Sequence, residues 1–256
     1  MTTAQIHKLL SAVLEIEAMM IAAGGEIYRA EESARRILEA YGMQQIDVYA
    51  TTSNIIVSVE TADGTVKTHT RRVPPIGTDI EKVHRLNDLV RRLSVTPLPI
   101  EELPAQLDVV RQAPQYPTWV VTLFYGVIAA AFYLFFGGRH VVELITSFSA
   151  GVVTGLLTFG LEKVKANKFL VKFLCAFSAC LISFLLKQAQ YIDSVDYIII
   201  SNIMTLIPGI GLTNSLRDLF SGDSISGVLR LIEAALLALA IACGYIVTTF
   251  LFGGVV

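Results

Sequence analysis

The spacing of the hydrophobic positions changes along the chain, and it predicts short elements in the first half and long ones in the second. Near the N-terminus, apolar residues recur at helical spacing with charges on the opposite side, which is typical of helices that cover a core. Gly24-Gly25 and Gly42 stand where the first two of these helices would end. The helices predicted in this half cover residues 4–23, 29–41, 79–94 and 99–113.

A different pattern lies between the second and third of these helices. Residues 46–60 and 65–73 are rich in β-branched and aromatic positions, and Ser53-Asn54 and Asp63-Gly64 stand where tight turns would fall. We therefore expect a three-stranded antiparallel meander. Together with the helices it would form an α+β domain over residues 1–114.

From Pro117 onward the apolar runs become long. Each is near the ~20 residues that a helix needs to cross a ~30 Å hydrocarbon core. The runs cover residues 117–136, 141–161, 169–186, 195–212 and 228–252. The predicted fold is an α-helical membrane protein, in which a transmembrane domain of five spans over residues 115–256 follows the α+β domain. Gly151 and Gly155, four residues apart in the second run, predict close helix packing.

Composition supports this division and excludes some functions. The chain of 256 residues is 54% hydrophobic and 16% charged, and 27 of its 42 charged residues lie in residues 1–114. Soluble domains carry about 25% charged residues, so membrane residence explains the deficit. A net charge of −2, without a basic run interleaved with aromatics, argues against nucleic acid as a partner. The three cysteines lie in apolar segments, so we expect neither disulfides nor a metal or cofactor site from them.

The loops predict the orientation. Residues 162–168 hold three lysines, whereas residues 190–196 hold two aspartates and no base. Cytoplasmic loops carry the excess of positive charge in membrane proteins, so the first loop would lie inside. The N-terminal domain would then be cytoplasmic as well. Glu15 and Glu17 interrupt the first apolar stretch, which argues against a cleaved signal peptide.

The fourth apolar run contains a break. Pro208 removes a helical hydrogen bond, and Gly209 and Gly211 permit an unwound backbone. Irregular backbone at membrane depth is tolerated only against protein or a water-filled cavity. Transporters use such breaks to direct helix ends and free backbone groups at a substrate, so we expect a transport site here.

Polar residues follow the break. Two sets have the spacing of one helical face: Asn214, Arg217 and Asp218, then Ser226, Arg230 and Glu233. The two arginines are candidate clamps for an acidic substrate, because guanidinium groups bind carboxylates with two parallel hydrogen bonds. The helix start near Asp223 would supply further donors, and Asp218, Asp223 and Glu233 would neutralise the arginines or carry a coupling proton.

Plainer interpretations of these features stay open. Arg217 with Asp218, and Arg230 with Glu233, could be structural ion pairs, and the Pro-Gly break could be an interfacial turn. In residues 24–33, Glu26, Arg29 and Glu31 stand at a helix start, where charge pairing or capping is the plainer interpretation. His140 and Glu143 have a spacing known from metal sites, but without a second such pair we expect no metal. The sequence has no phosphate-binding loop for ATP-driven transport.

Three stretches resemble the threonine/serine exporter (ThrE-type) family. They are GGEIYRAEES at 24–33, FGGRHVVELITSFSAGVVTG at 136–155 and, most specifically, PGIGLTNSLRDLFSGDSISGVLRLIEA at 208–234. Within the family, length and domain content are similar to the YjjP-like inner-membrane subunits of bacteria. The positions that the resemblance carries over are Pro208, Gly209, Asn214, Arg217, Asp218, Gly222, Asp223, Gly227, Arg230 and Glu233.

This resemblance implies a transporter subunit with no enzymatic activity. It would export succinate or related C4-dicarboxylates across the bacterial inner membrane, together with a small multi-span subunit that carries the C-terminal half of the exporter, in a higher-order hetero-oligomer surrounded by membrane lipid. Two alternatives remain. One is export of threonine or serine, and the other is a membrane-anchored module that senses a metabolite.

Overall fold

The computed structural model describes residues 1–61 and 64–252, so Asp63 of the predicted second turn lies outside the described residues. The chain divides into two compact units. The first unit consists of Met1–Pro114 and Gly209–Ile232. The second unit consists of Gln115–Pro208 and the part of the chain that begins at Glu233.

The first unit contains the sheet and most of the short helices. Its elements are α1 (Thr3–Ala22), α2 (Ile27–Ala40), β1 (Gln44–Ala50), β2 (Asn54–Glu60), β3 (Val66–Arg72), α3 (Ile80–Val95), a 3₁₀ turn (Ile100–Glu102), α4 (Leu103–Arg111), α9 (Gly209–Phe220) and the start of α10 (Ser224–Phe252). Each predicted helix of the first half is present, with ends shifted by up to four residues. A Thr2 capping box begins α1, and the Asp79 side chain caps α3.

The sheet is the predicted antiparallel meander, in the order β1-β2-β3. Ile55, Val57 and Val59 alternate along β2 and are buried, because one face of the sheet lies on the helices. α1 lies within this core and is buried along most of its length. Gly42 has the positive φ of 79° that the sequence predicted at the end of α2.

The second unit is built of long apolar helices. Its elements are α5 (Thr118–Phe135), α6 (Val141–Lys163), α7 (Lys168–Gln188), α8 (Asp196–Leu206) and the part of α10 (Ser224–Phe252) from Glu233 onward. In the described residues, four helices are long and apolar enough to cross a membrane: α5, α6, α7 and α10. Taking α8 and α9 as one bent span raises the number to five, the number predicted from the sequence.

Close packing of α5 and α6 depends on the predicted glycines. A Cβ at Gly151 would lie 2.7 Å from the Tyr125 carbonyl oxygen, and one at Gly155 would lie 3.1 Å from the Thr122 Cα. Only small residues allow helix backbones to approach this closely. The prediction of a small-residue seam is thus confirmed, and its partner is α5.

The predicted fourth span, residues 195–212, is interrupted. α8 ends at Leu206, Ile207 is extended, and α9 begins at Gly209 with a bend of 51°. The break predicted at Pro208 is therefore confirmed. Downstream, Gly222 has a φ of 97° and separates α9 from α10. The part of the chain from Gly209 to Ile232 belongs to the first unit.

Candidate functional site

The turn between α1 and α2 is shaped by two glycines. Gly24 has a φ of 91°, and a Cβ added there would lie 2.9 Å from the Gly77 carbonyl oxygen. A Cβ at Gly25 would lie 2.8 Å from the carbonyl oxygen of Met20. Larger residues therefore do not fit this turn. It brings two backbone carbonyls and the Glu26 side chain next to one another.

Side chains of α9 and α10 contact this turn. Asn214 Nδ2 donates to the Gly24 carbonyl at 2.8 Å, Arg230 Nη2 donates to the Gly25 carbonyl at 2.8 Å, and Arg217 forms a salt bridge with Glu26. The first and third stretches that resemble the exporter family thus meet within the first unit. We call Asn214, Arg217, Asp218 and Arg230, with the turn of Gly24–Glu26, the arginine cluster.

Arg230 and Asp218 form the buried part of the arginine cluster. Arg230 Nε lies 3.4 Å from Asp218 Oδ2, and the two side chains are 6% and 1% exposed. Removing two charges from water costs free energy, and their mutual attraction is needed to offset that cost in a buried site. Arg217 differs, because its side chain is 51% exposed and its guanidinium is accessible to solvent.

The ion pairs differ from those suggested by local spacing. Arg217 pairs with Glu26 and not with Asp218, whereas Arg230 pairs with Asp218 and not with Glu233. Glu233 belongs to the second unit, where it accepts from Lys168 Nζ at 3.0 Å. Local spacing predicted that these residues share a face, but distant residues supplied two of the three partners.

Two other predicted site residues, Asp223 and Ser226, lie at the α9–α10 connection. Ser226 is buried, and Asp223 is half-buried. The Asp223 N–H donates to the Asp218 carbonyl at 2.9 Å, and its carbonyl accepts from Gly227 at 2.9 Å. These bonds hold the start of α10 against the end of α9. Pro208, Gly209 and Gly211 lie at the start of α9, and the role of all these residues in transport stays a prediction.

The plainer interpretation of Glu26 from the sequence was local pairing or capping. Pairing is present, since Glu26 Oε2 lies 3.2 Å from Arg29 Nε, but the Glu26 side chain makes no cap hydrogen bond to α2. Its contact with Arg217 spans most of the chain. The only sequence signal for it was that both residues lie in stretches resembling one family.

Two carboxyl groups of the first unit, Glu17 on α1 and Glu31 on α2, have raised pKa values. Glu17 is fully buried, and within the described residues neither of its carboxyl oxygens has a hydrogen-bond partner. Burial, and to a lesser extent the Glu31 carboxylate, raises the pKa of Glu17 well above its usual value. Glu31 accepts from the Ala50 N–H at 2.7 Å, and burial raises its pKa too, with Asp223 contributing.

The second unit contains a buried polar group around Glu143, a residue that the sequence analysis considered only with His140 as part of a metal site. Glu143 on α6 is 2% exposed and accepts from the Tyr133 hydroxyl at 2.7 Å and the Ser194 N–H at 3.1 Å. One turn further along α6, Ser147 contacts Ser201 Oγ at 2.7 Å and Asn202 Nδ2 at 3.3 Å. We call these residues the polar seam.

Among the described residues, no group of three or more His, Cys, Asp and Glu side chains could hold a metal ion. Polar groups within an apolar bundle need internal partners, and they are functional candidates because they are expensive to bury. Serine, threonine and asparagine scattered through an apolar run carry no periodic signal, so the sequence did not reveal the seam.

Comparison with known proteins gives one family over nearly the whole chain. The family model described as "putative threonine/serine exporter" matches residues 11–252. Two relatives are described as "probable succinate transporter subunit YjjP". The protein from Klebsiella aerogenes is 26% identical over 90% of this chain and 88% of its own length. The protein from Escherichia coli K12 is 26% identical over 99% of this chain and 98% of its own length.

A third relative is longer. The "probable threonine/serine exporter" of Mycobacterium tuberculosis H37Rv is 23% identical over 94% of this chain, which spans only 46% of that protein. No solved structure matches the chain. The family and the apolar helices together indicate a multi-pass membrane protein that transports small molecules.

Proposed function

Because the chain belongs to the threonine/serine exporter family, we propose that it is the larger subunit of a secondary exporter for succinate or related C4-dicarboxylates. An ion gradient or exchange drives transport. Two relatives described as succinate transporter subunits align with this chain over 88% and 98% of their own lengths, which supports this substrate class. The chain spans 46% of the longer exporter, which supports a partner that supplies the remaining spans.

The arginine cluster is the observation on which the proposed site rests. Glu26 already places a carboxylate on the half-exposed guanidinium of Arg217. In the proposed mechanism, a substrate carboxylate replaces Glu26 there, forming two parallel hydrogen bonds with the planar guanidinium. Arg230, held by Asp218 and the Gly25 carbonyl, keeps α10 and the turn in position.

We place the protein in the bacterial inner membrane with the first unit in the cytoplasm. Lys163 and Lys165 are exposed at the α6–α7 connection, and Asp193 and Asp196 are exposed before and at the start of α8. This charge asymmetry supports a cytoplasmic α6–α7 connection. The arginine cluster would then receive substrate from the cytoplasmic side.

Transport into inverted membrane vesicles tests the proposal. Vesicles from cells that co-express this chain and the partner subunit should accumulate labelled succinate. Arg217→Gln should reduce the initial rate by about tenfold or more, since one charged hydrogen bond is worth ~1.5–3 kcal/mol. Arg72→Gln, which removes an exposed arginine elsewhere in the first unit, is the matched control.

Two results would contradict the proposal in different ways. If the Arg217→Gln complex assembles and exports succinate at the rate of the unmodified complex, the site is wrong. If the vesicles accumulate labelled threonine or serine but no succinate, the substrate class is wrong. The second result would favour the alternative function, amino-acid export, which the name of the mycobacterial relative supports.

A further inference from the structure

A cleft of about 520 Å³ lies between α2 and α3, within the first unit. No residue of the arginine cluster lines this cleft. Arg29 does line it, and Arg29 also pairs with Glu26 of the arginine cluster. The residues that line the cleft are Tyr28, Arg29, Glu32, Ser33, Arg36, His84, Asn87, Val90 and Arg91. Three arginines and one glutamate line the cleft, so cationic side chains are in excess on its lining, although Arg29 and Arg91 also pair with Glu26 and Asp88 beside it.

The arginines of this cleft are held only by weak pairs. Arg29, Arg36 and Arg91 are 59%, 60% and 67% exposed, and each pairs with a carboxylate on its own helix or at that helix's start. Exposed pairs of this kind contribute ~0–1 kcal/mol. An incoming anion with two negative charges can therefore compete for all three guanidinium groups.

Neutral donors complete the lining. Neither the Asn87 amide nor the Tyr28 hydroxyl has a hydrogen-bond partner in the part of the chain that the structure describes, and Tyr28 is 50% exposed. Both side chains border the cleft. A ligand oxygen can thus bind an uncharged donor without displacing a protein group.

We propose that this cleft binds a small phosphorylated metabolite, with the phosphoryl group held between the arginines of α2 and α3. A phosphate monoester concentrates a charge of about −2 and three acceptor oxygens on one group, which matches three guanidinium groups better than the two separated carboxylates of succinate do. The remaining volume accommodates the rest of a small metabolite beside Tyr28 and Val90.

Binding here would affect the arginine cluster through Glu26. This carboxylate contacts Arg29 with one oxygen and Arg217 with the other. If a phosphoryl group binds Arg29 in place of Glu26, the Glu26 carboxylate interacts with Arg217 alone, and the contact between Glu26 and Arg217 becomes stronger. The ligand should therefore inhibit transport, a consequence that rests on the proposed function, whereas binding itself does not.

Calorimetric titration of the full chain in phosphatidylcholine nanodiscs tests the binding. The probes are glycerol 3-phosphate, inorganic phosphate and succinate. We expect saturable binding of glycerol 3-phosphate, weaker binding of phosphate and the weakest binding of succinate. The double variant R36Q/R91Q should weaken binding of glycerol 3-phosphate by about a hundredfold. Each of the two lost charged contacts should reduce the affinity about tenfold, which corresponds to ~1.4 kcal/mol.

Two further variants keep the interpretation specific. R72Q, an exposed arginine outside the cleft, should bind as the unmodified chain does. N87D places a negative charge on the lining and should abolish binding without removing an arginine. All these positions are exposed or half-exposed, so folding is preserved, and unchanged elution in size-exclusion chromatography verifies this.

Several outcomes would overturn the proposal. These are no saturable binding of glycerol 3-phosphate, unchanged affinity in R36Q/R91Q or N87D, or succinate binding tighter than glycerol 3-phosphate. Binding that appears only when phosphatidic acid replaces part of the lipid would assign the cleft to a headgroup and also contradict a soluble ligand. Intact binding of glycerol 3-phosphate without inhibition of succinate transport would leave this site standing and reject only the coupling through Glu26.

Discussion

A single carboxyl group in the core of the first unit makes stability depend on pH. Glu17 lies among apolar side chains of α1, and burial favours its protonated form. Because the folded pKa is raised above the unfolded value of about 4.5, the folded chain binds more protons at pH values between the two. Stability contributed by the protonated form is therefore lost as the pH rises from about 4.5 through the raised pKa.

We expect Glu17→Gln to stabilise the protein at pH 8 more than at pH 5. Glutamine has nearly the same shape and carries no charge, so its burial does not depend on pH. Each kcal/mol should raise the unfolding midpoint by ~2–4 °C for a chain of this size. Thermal unfolding followed at both pH values measures the difference.

Glu32→Gln is the control for this pH effect, because Glu32 is a solvent-accessible residue of α2. Its substitution should change the midpoint little at either pH. An equal shift at pH 5 and pH 8 in Glu17→Gln would show that the charge of Glu17 is not responsible.

The buried pair of Arg230 and Asp218 leads to a second prediction. Arg230→Met leaves Asp218 buried without its cation, which should cost ~3–5 kcal/mol. Replacing both residues, as Arg230→Met with Asp218→Leu, should cost much less, because no unpaired charge remains. Unfolding midpoints of the two single variants and the double variant give the coupling energy.

Arg72→Gln provides the baseline for loss of an exposed arginine in the same unit. If the double variant is destabilised by the sum of the single variants, Arg230 and Asp218 do not stabilise each other. The structural role assigned to Arg230 in the arginine cluster would then be wrong.

At the scale of elements, the turn between α1 and α2 positions the acceptors for α9 and α10. A methyl group at Gly25 would meet the Met20 carbonyl at 2.8 Å, so Gly25→Ala must move the backbone. We expect a loss of ~1–3 kcal/mol, typical of added atoms in a packed site. Moving the turn also lengthens the bond from Arg230 to the Gly25 carbonyl, which should accelerate amide exchange in residues 209–232.

Gly209→Ala is the matched control, because a Cβ there meets nothing within 4 Å. It should leave stability and exchange nearly unchanged. If Gly25→Ala alters stability but not exchange in residues 209–232, the turn does not hold α9 and α10.

Helices, strands and the break at Pro208 could be predicted from the sequence because each depends on local signals. α1 runs from Thr3 to Ala22 where periodicity predicted 4–23, and the meander follows β-branched runs and turn residues. The partners of Arg217 and Arg230 could not be predicted in this way. Helical spacing says which residues share a face, but the α1–α2 turn that meets this face lies almost 200 positions earlier.

The polar seam shows a second limit of local signals. Ser147, Ser201 and Asn202 interrupt apolar runs without any period, and only the packing of α6 against α8 brings them together. A serine or asparagine facing lipid and one facing a neighbouring helix look the same in the sequence. The contact between Tyr133 and Glu143 could not be predicted for the same reason, because it depends on the packing of α5 against α6.

At the scale of the whole molecule, the chain has polar sites in both units but spans only part of the longer exporter. The arginine cluster lies in the first unit and the polar seam in the second. The described residues contain four apolar helices long enough to span a membrane, or five if the bent pair is counted as one span. Five spans cannot be divided into two equal membrane halves. The relatives of matching length are described as subunits, which indicates that this chain acts within a complex.

We therefore expect transport to require the second subunit. Inverted vesicles that contain this chain alone should accumulate no more labelled succinate than vesicles without it, whereas co-expression of the smaller multi-span subunit should give accumulation well above that level. The chain alone should still fold, because the first unit and the helices of the second unit each have buried cores. Equal amounts of folded chain in both preparations, measured by size-exclusion chromatography, make the comparison valid. Accumulation by the chain alone at the rate of the pair would show that it forms a complete pathway by self-association, and the proposed division of the exporter into two subunits would be wrong.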